Sequence, residues 1–262
     1  MGGSLTGDWP LLLLGAAVAG PLVCGTSQAV NDWFDRDVDA INEPHRPIPS
    51  GRLPGRTGLW IGMAWTLLSL AAGFLLGPVG FLATGVALVL AWMYSAPPFR
   101  FKQNGWVGNL VVGISYEGLA WVTGAAVVLG GVVPDDRTLL LALLYSLGAH
   151  GIMTLNDYKS RHGDLVAGIG SLPARLGPAT AAWVACVAML GAQAVVVGLL
   201  LSWGTPLAAL AVVVLMVGQV GIMVPFLRKP DAGTALRVSA FGVPFYVSGM
   251  MVSAFALRGI LA

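Results

Sequence analysis

Residues 9–39 read WPLLLLGAAVAGPLVCGTSQAVNDWFDRDVD, an apolar run that passes without a break into an acidic one. If the helix formed by the apolar run persists, Asp32, Asp35 and Asp39 share one face, and Asn31 lies one turn before Asp35. Like charges so placed repel one another, and a hard cation relieves that repulsion. The stretch predicts a membrane-spanning helix that ends in a metal site. The alternative is a solvated polar loop whose charges only mark the end of the span.

The rest of the chain is as apolar as its beginning. Of 262 residues, 56% are hydrophobic and 10% are charged, and the mean hydropathy is +0.81. Such a chain belongs in a bilayer, and alternating runs typical of a membrane barrel are absent from the sequence. Because a span needs about 20 apolar residues, we expect one all-α, polytopic transmembrane domain over 1–262. Its eight predicted spans are 9–31, 57–78, 79–96, 106–131, 137–157, 178–202, 205–227 and 236–258.

The basic residues predict the orientation of these spans. The loops after the first, third, fifth and seventh spans hold all but Arg137 and Arg258 of the 14 Lys and Arg residues. The positive-inside rule places those loops in the cytoplasm and both termini outside. We therefore expect a multi-pass protein of the cell inner membrane with its active site on the cytoplasmic face. A net charge of +2 gives nucleic-acid binding little support.

A second acidic motif ends the predicted fifth span. Residues 156–164 read NDYKSRHGD, and Asp157, Arg161 and Asp164 share a face if the helix continues. Two acidic helix ends at one membrane face, with basic residues interspersed, predict a site that holds a diphosphate through Mg²⁺.

Transfer from an allylic diphosphate requires neutralisation of the departing negative charge. Magnesium does this as a Lewis acid, and basic side chains bind the remaining phosphate oxygens. The basic candidates are Arg46, Lys102, Lys159 and Arg161. Aromatic faces stabilise a cation-like allylic carbon, although interfacial belts are their commoner role. The aromatic candidates are Trp33, Trp92, Tyr94, Tyr116 and Trp121.

Several strings together resemble the UbiA superfamily of membrane prenyltransferases. NDxxDxxxD looks like its first signature, and the extension NEPxRPIPSG is similar to the chlorophyll and bacteriochlorophyll synthase branch. Within that branch, the strings GAHGIMTLND and YEGLAWVTGAAV look more like the bacteriochlorophyll enzymes. The likeness covers nearly the whole chain, through NDWFDRDVDAINEPHRPIPSGRL (31–53), YSAPPFRFKQNGWVGN (94–109), YEGLAWVTGAAV (116–127), GAHGIMTLNDYKSRHGD (148–164) and SLPARLG (171–177).

The resemblance implies an enzyme that joins the propionate carboxylate of a (bacterio)chlorophyllide to a geranylgeranyl or phytyl diphosphate and releases diphosphate. It implies contact with the bilayer and with other pigment-biosynthesis proteins. The expected catalytic residues are Asp32, Asp35 and Asp157. The expected metal ligands are Asp32, Asp35, Asp39, Asp157 and Asp164. The expected substrate-binding residues are Asn31, Arg46, Lys102, Lys159, Arg161, Tyr94 and Glu117.

Other polar residues receive weaker assignments. Glu117 is an ionisable group inside a span, so we expect it to orient the pigment, or else to make a protonated structural hydrogen bond. The three histidines, His45, His150 and His162, are expected to be ordinary polar or packing residues, although a His is also a suitable ligand for the pigment's central magnesium. Cys24 and Cys186 lie within predicted spans and are expected to pack there.

The chain departs from the family pattern in places. Ser160 stands where many members have Asp, which fits the pigment branch, whereas that branch usually has Glu and Arg at the positions of His162 and Leu165. The family bundle has nine spans, and the first has no counterpart among the eight counted here. We expect the chain, without that helix, to expose an apolar groove and to be less stable or less active than a longer form.

Rival functions differ in the features that they require. A UbiA-type enzyme with a quinone precursor, haem or lipid acceptor is the nearest, and the NEPxRPIPSG string argues against it. An alcohol phosphotransferase needs DxxDGxxAR, which the sequence lacks. A transporter or a non-catalytic pigment-binding protein fits the intramembrane polar residues, but no internal repeat supports a transporter.

Overall fold

The computed structural model describes residues 9–261. Eight helices within this range are long and apolar enough to cross a membrane, which confirms the predicted multispan α-helical fold. The spans, numbered first to eighth, are Trp9–Ala40, Thr57–Phe74, Gly77–Ser95, Gly105–Val128, Asp136–Ala167, Pro178–Ser202, Pro206–Arg228 and Ala232–Arg258. Shorter helical pieces are Phe101–Gln103 and Leu172–Arg175, and the last helix runs on to Leu261.

Both acidic motifs are helical, as the sequence predicted. The first helix continues through its motif to Asn42, and the fifth continues through its motif to Ala167. The predicted second span, 57–78, is too long, and the predicted third span, 79–96, begins too late. The second helix ends at Phe74, and the next begins at Gly77, which has a φ of 81°. Apolar residues there continue through a turn, so hydropathy alone did not find the helix end.

Three of the spans contain a π-helical stretch: Val18–Cys24 in the first, Ile114–Leu119 in the fourth and Val238–Gly242 in the eighth. Pro21 lies inside the first stretch and lacks the N–H that a regular helix requires. The carbonyl of Pro21 accepts a hydrogen bond from the indole of Trp65, at 3.1 Å. Such stretches commonly occur at functional sites.

The chain divides into two compact units. The first comprises Met1–Lys102 and Leu119–Pro134, and the second comprises Gln103–Gly118 and Asp135–Ala262. Each unit is therefore built from two separate stretches of chain. That the whole chain acts as one domain stays a prediction.

The core of the first unit joins residues that are far apart in sequence. Val18, Leu76 and Val127 are each less than 5% exposed and form one apolar cluster. A polar contact lies in the same unit, where the hydroxyls of Thr26 and Ser69 are 3.3 Å apart and both residues are fully buried. The hydroxyl pair joins the first and second spans within the bilayer.

The core of the second unit depends on small residues in the fifth span. A Cβ placed on Gly151 would lie 2.3 Å from the carbonyl oxygen of Ala185, so the fifth and sixth helices approach backbone to backbone. Close by, Tyr145 and Tyr246 are fully buried with their rings edge to face at 5.3 Å. The Tyr246 hydroxyl donates to the Tyr145 carbonyl at 2.7 Å.

Replacing Gly151 with alanine is expected to lower the free energy of unfolding by about 1–3 kcal/mol, because the new methyl group forces two packed helices apart. The measurement is the thermal unfolding midpoint in detergent. Gly191→Ala is the matched control, since a Cβ at Gly191 has no neighbour within 4 Å. Equal midpoints for the two variants would show that the helices can separate at no cost.

Both ends of the fifth helix are capped. The carboxylate of Asp135 accepts hydrogen bonds from the backbone N–H groups of Arg137 and Thr138, at 3.0 and 3.2 Å. Partial burial opposes ionisation, but these bonds and one from the Thr138 hydroxyl outweigh it, so the pKa of Asp135 is lowered. At the other end Gly168 has a φ of 68° and ends the helix. The two caps set the ends of the helix Asp136–Ala167, which carries the second motif.

Candidate active site

The first acidic motif is organised around Arg46. Its Nη1 atom lies 3.2 Å from Oδ1 of Asp32 and 3.0 Å from Oδ2 of Asp39, and its Nε also bonds to Glu43. Partial burial lowers the pKa of the Arg46 guanidinium, but the carboxylates of Asp39, Glu43 and Asp32 outweigh it and raise that pKa. Arg46 therefore stays charged, and two predicted metal ligands converge on one positive nitrogen.

The third carboxylate of this motif has a different partner. Asp35 Oδ1 accepts a hydrogen bond from the ammonium of Lys102, and it lies 3.5 Å from Nη2 of Arg100. The side chain of Lys102 is only 8% exposed, and burial outweighs the attraction of Asp35, so the pKa of Lys102 is lowered. Asn31 donates to the hydroxyl of Ser95, at 3.2 Å, and joins the first span to the end of the third.

The donor set of the first motif fits magnesium, which prefers oxygen ligands and commonly uses one or two carboxylates with substrate phosphates. The Nη1 atom of Arg46 already occupies a position where a positive charge meets both Asp32 and Asp39. Among the residues that the structure describes, no group of three His, Cys, Asp or Glu side chains is arranged to hold a metal by itself. Metal binding by these carboxylates stays a prediction.

The second acidic motif contains one carboxylate held by an amide. Asp157 Oδ2 accepts a hydrogen bond from Nδ2 of Asn109, at 3.1 Å, and the same nitrogen donates to the hydroxyl of Thr154 at 3.2 Å. Asn109 is 5% exposed, and Thr154 is fully buried. Sequence reasoning missed Asn109, although it ends the string at 94–109 and is an amide inside a span, which is itself a signal of function.

The other carboxylate of this motif is bound by hydroxyl groups. Asp164 is 8% exposed, and its Oδ2 accepts bonds from Ser160 at 3.0 Å and from Ser171 at 2.5 Å. The guanidinium Nε of Arg161 donates to the carbonyl of Pro173 at 3.0 Å. These contacts hold residues 171–173, which follow the fifth helix, against the end of that helix. Metal binding by Asp164 stays a prediction. Lys159 is exposed.

Outside the two acidic motifs, the partly or fully buried residues singled out in the sequence include Tyr94, Glu117, His150, Cys24 and Cys186. Tyr94 is partly buried near the end of the third span, and Glu117 is partly buried within the π-helical part of the fourth. His150 is 8% exposed, and its ring stacks on that of Trp106 with centroids 5.4 Å apart, which agrees with a packing residue. Cys24 is partly buried and Cys186 is buried, which agrees with packing within the spans.

The fold defines the class as a polytopic α-helical membrane protein, whose first and fifth helices each carry an acidic motif. The sequence profile described as UbiA prenyltransferase family matches residues 1–248. The chain therefore belongs to the UbiA prenyltransferase family and is a prenyltransferase.

Two relatives locate the chain within this family. It is 54% identical over 252 residues to the bacteriochlorophyll synthase 33 kDa chain of Cereibacter sphaeroides, a match that covers 96% of this chain and 83% of that protein. It is 41% identical over 248 residues to chloroplastic chlorophyll synthase of Arabidopsis thaliana, with 91% and 63% covered. These likenesses place it on the bacteriochlorophyll synthase branch.

A solved structure supports the fold. The UbiA homolog from Archaeoglobus fulgidus bound to GPP and Mg²⁺ has a TM-score of 0.74 to this chain, covering 98% of it and 89% of the homolog. The two sequences are 19% identical, so the likeness concerns the fold.

Proposed function

We propose that the protein esterifies the propionate carboxylate of a bacteriochlorophyllide or chlorophyllide with a geranylgeranyl or phytyl diphosphate and releases diphosphate. The observation that carries this proposal is the acidic first motif paired with buried basic side chains, in a chain 54% identical to a bacteriochlorophyll synthase. An acceptor carboxylate is already ionised near neutral pH, so the reaction needs no strong general base.

The residues of the first motif have two states in this proposal. In the free protein, Arg46 and Lys102 neutralise Asp32, Asp39 and Asp35. When Mg²⁺ is bound it acts as a Lewis acid on the diphosphate. Asp32, Asp35 and Asp39 would hold the metal. The guanidinium of Arg46 and the ammonium of Lys102 would then be available to bind phosphate oxygens.

The second motif supplies further ligands. We assign Asp157 and Asp164 to metal, and Lys159 and Arg161 to phosphate. The Nε of Arg161 is already bonded to Pro173, which leaves its Nη groups for a phosphate. Asn31, Tyr94 and Glu117 complete the proposed substrate contacts.

The bond changes balance without a further reactant. An oxygen of the propionate forms a bond to the first prenyl carbon, and the bond from that carbon to the diphosphate oxygen breaks with its electron pair. A dry cavity protects the cation-like carbon from water. By the distribution of Lys and Arg, we place the reaction at the cytoplasmic face of the inner membrane.

The test is product formation by membranes that carry the protein, supplied with magnesium, geranylgeranyl diphosphate and either bacteriochlorophyllide a or chlorophyllide a. Mass spectrometry should detect the esterified pigment, and Asp32→Ala should abolish it. Asp136→Ala, which changes an exposed aspartate at the start of the fifth helix, should leave it unchanged. Turnover of a quinone precursor or haem in place of both pigments would reject the proposed acceptor.

A further inference from the structure

Asn109 connects the fourth span to the second acidic motif. Its Nδ2 atom donates to Asp157 at 3.1 Å and to the hydroxyl of Thr154 at 3.2 Å. Thr154 in turn donates its hydroxyl hydrogen to the carbonyl of His150, at 2.9 Å, so its oxygen is directed to accept from Asn109. The amide is therefore fixed by two bonds to one face of the fifth helix.

The helix that carries Asn109 is held close to its neighbours on either side of this residue. The N–H of Gly105 donates to the carbonyl of Gly170 at 2.8 Å. Further along, a Cβ on Gly113 would lie 2.6 Å from the carbonyl oxygen of Ser146. Asn109 lies between these two close contacts and is 5% exposed, so its amide has little freedom to move.

The hydrogen bond from Asn109 to Asp157 has a neutral donor, whereas the carboxylates of the first motif have charged partners. Asp32, Asp35 and Asp39 each pair with an Arg or a Lys, whereas no ion pair joins Asp157 to any described Arg, Lys or His. A neutral donor orients a carboxylate but leaves its negative charge for a cation. Hydrogen bonds of this kind to metal ligands commonly set ligand orientation and metal affinity.

We propose that Asn109 is a positioning residue, which holds Asp157 in one orientation for magnesium without cancelling its charge. This inference rests on the proposed function, in which Asp157 binds the metal of a metal-diphosphate. Asn109 itself touches neither metal nor substrate. The hydrogen bond from Asn109 restricts the rotation of the Asp157 side chain before the metal binds. Metal binding therefore costs less side-chain entropy.

The experiment compares Asn109→Leu, which keeps the approximate size and removes the donor, with Thr154→Val, which removes only the second acceptor. Two quantities are measured: the Mg²⁺ concentration that half-saturates turnover, and Mn²⁺ binding by electron paramagnetic resonance with an unreactive thiolodiphosphate analogue of the prenyl substrate. Asn109→Leu should raise both the half-saturating Mg²⁺ concentration and the Mn²⁺ dissociation constant about 10- to 100-fold. The KM for pigment should be the same in Asn109→Leu as in the wild-type protein. Thr154→Val should change the half-saturating Mg²⁺ concentration and the Mn²⁺ dissociation constant less than threefold.

Asn109→Gln provides a conservative variant that retains a donor and should recover part of the metal affinity. Unchanged Mn²⁺ binding in folded Asn109→Leu protein, or an equal loss in Thr154→Val, would overturn the positioning role. If Asn109→Leu does not fold, Asn109→Gln is compared with Asn109→Ala instead. Equal Mn²⁺ affinities of these two variants would also overturn the positioning role. The wild-type protein separates the two proposals, because its failure to esterify pigment rejects the proposed function while the Mn²⁺ measurement still tests Asn109.

Discussion

Asp157→Asn is expected to lower the rate of pigment esterification about 100- to 1,000-fold, the loss that corresponds to several kcal/mol of transition-state stabilisation by a bound metal. The substitution preserves the size of the side chain and an oxygen that can accept from Asn109, which lies 3.1 Å from the carboxylate. It removes the negative charge. Initial rates at saturating pigment and prenyl diphosphate, over a range of Mg²⁺ concentrations, measure the effect.

Asp37→Asn is the matched control, because it makes the same chemical change at a side chain that is 85% exposed and pairs only loosely with Arg36, at 3.8 Å. It should retain nearly full activity. A loss of less than tenfold in Asp157→Asn, with normal thermal stability, would remove Asp157 from the metal site. Partial recovery at high Mg²⁺ would indicate weakened metal binding.

Lys102→Met is expected to reduce turnover about 10- to 100-fold, the range for losing a hydrogen bond between charged groups. Lysine is rarely this deeply buried unless it is paired, and its partner here is Asp35, itself 18% exposed. Methionine keeps the apolar part of the lysine side chain but removes its charge. Asp35 then has only Arg100 as a basic partner, with Nη2 of Arg100 3.5 Å from Oδ1 of Asp35. In the proposed mechanism the variant also loses one phosphate-binding group. The KM for prenyl diphosphate should rise more than that for pigment.

Lys229→Met is the control for a lost surface charge, since Lys229 is 82% exposed and pairs with Asp231 at 3.3 Å. Exposed pairs of this kind contribute little. Lys102→Arg restores the charge and should recover part of the activity. An unchanged KM for prenyl diphosphate in Lys102→Met would assign the lysine a structural role.

The sequence predicted the helices and the carboxylate faces because both follow from local periodicity. Asp32, Asp35 and Asp39 share a face through helical geometry, and apolar run length identifies the spans. The partners of these carboxylates depend on tertiary structure instead. Lys102 is 67 residues from Asp35 in the chain. The sequence analysis selected Lys102 as a phosphate-binding candidate, but it did not predict that this lysine pairs with Asp35.

Other parts of the site carry a weaker local signal. Asn109 is an uncharged amide within a span, and it lies outside the two acidic motifs, whereas the charge of Glu117 marked that residue directly. Asp164 was predicted as a metal ligand from its spacing, yet the hydroxyl of Ser171 lies 2.5 Å from it across a turn that the sequence does not specify. The π-helical stretches also escape prediction, since they change the helix period without a compositional mark.

The division of the chain has a consequence for biosynthesis. The first unit needs Leu119–Pro134, which the ribosome makes only after Gln103–Gly118 of the second unit. Val127, which packs against Val18 and Leu76, belongs to this late segment. A nascent chain halted at Lys102 would therefore present the membrane-insertion machinery with an unfinished apolar cluster. Neither unit forms one uninterrupted stretch of chain, so no single cut in the sequence separates the two units.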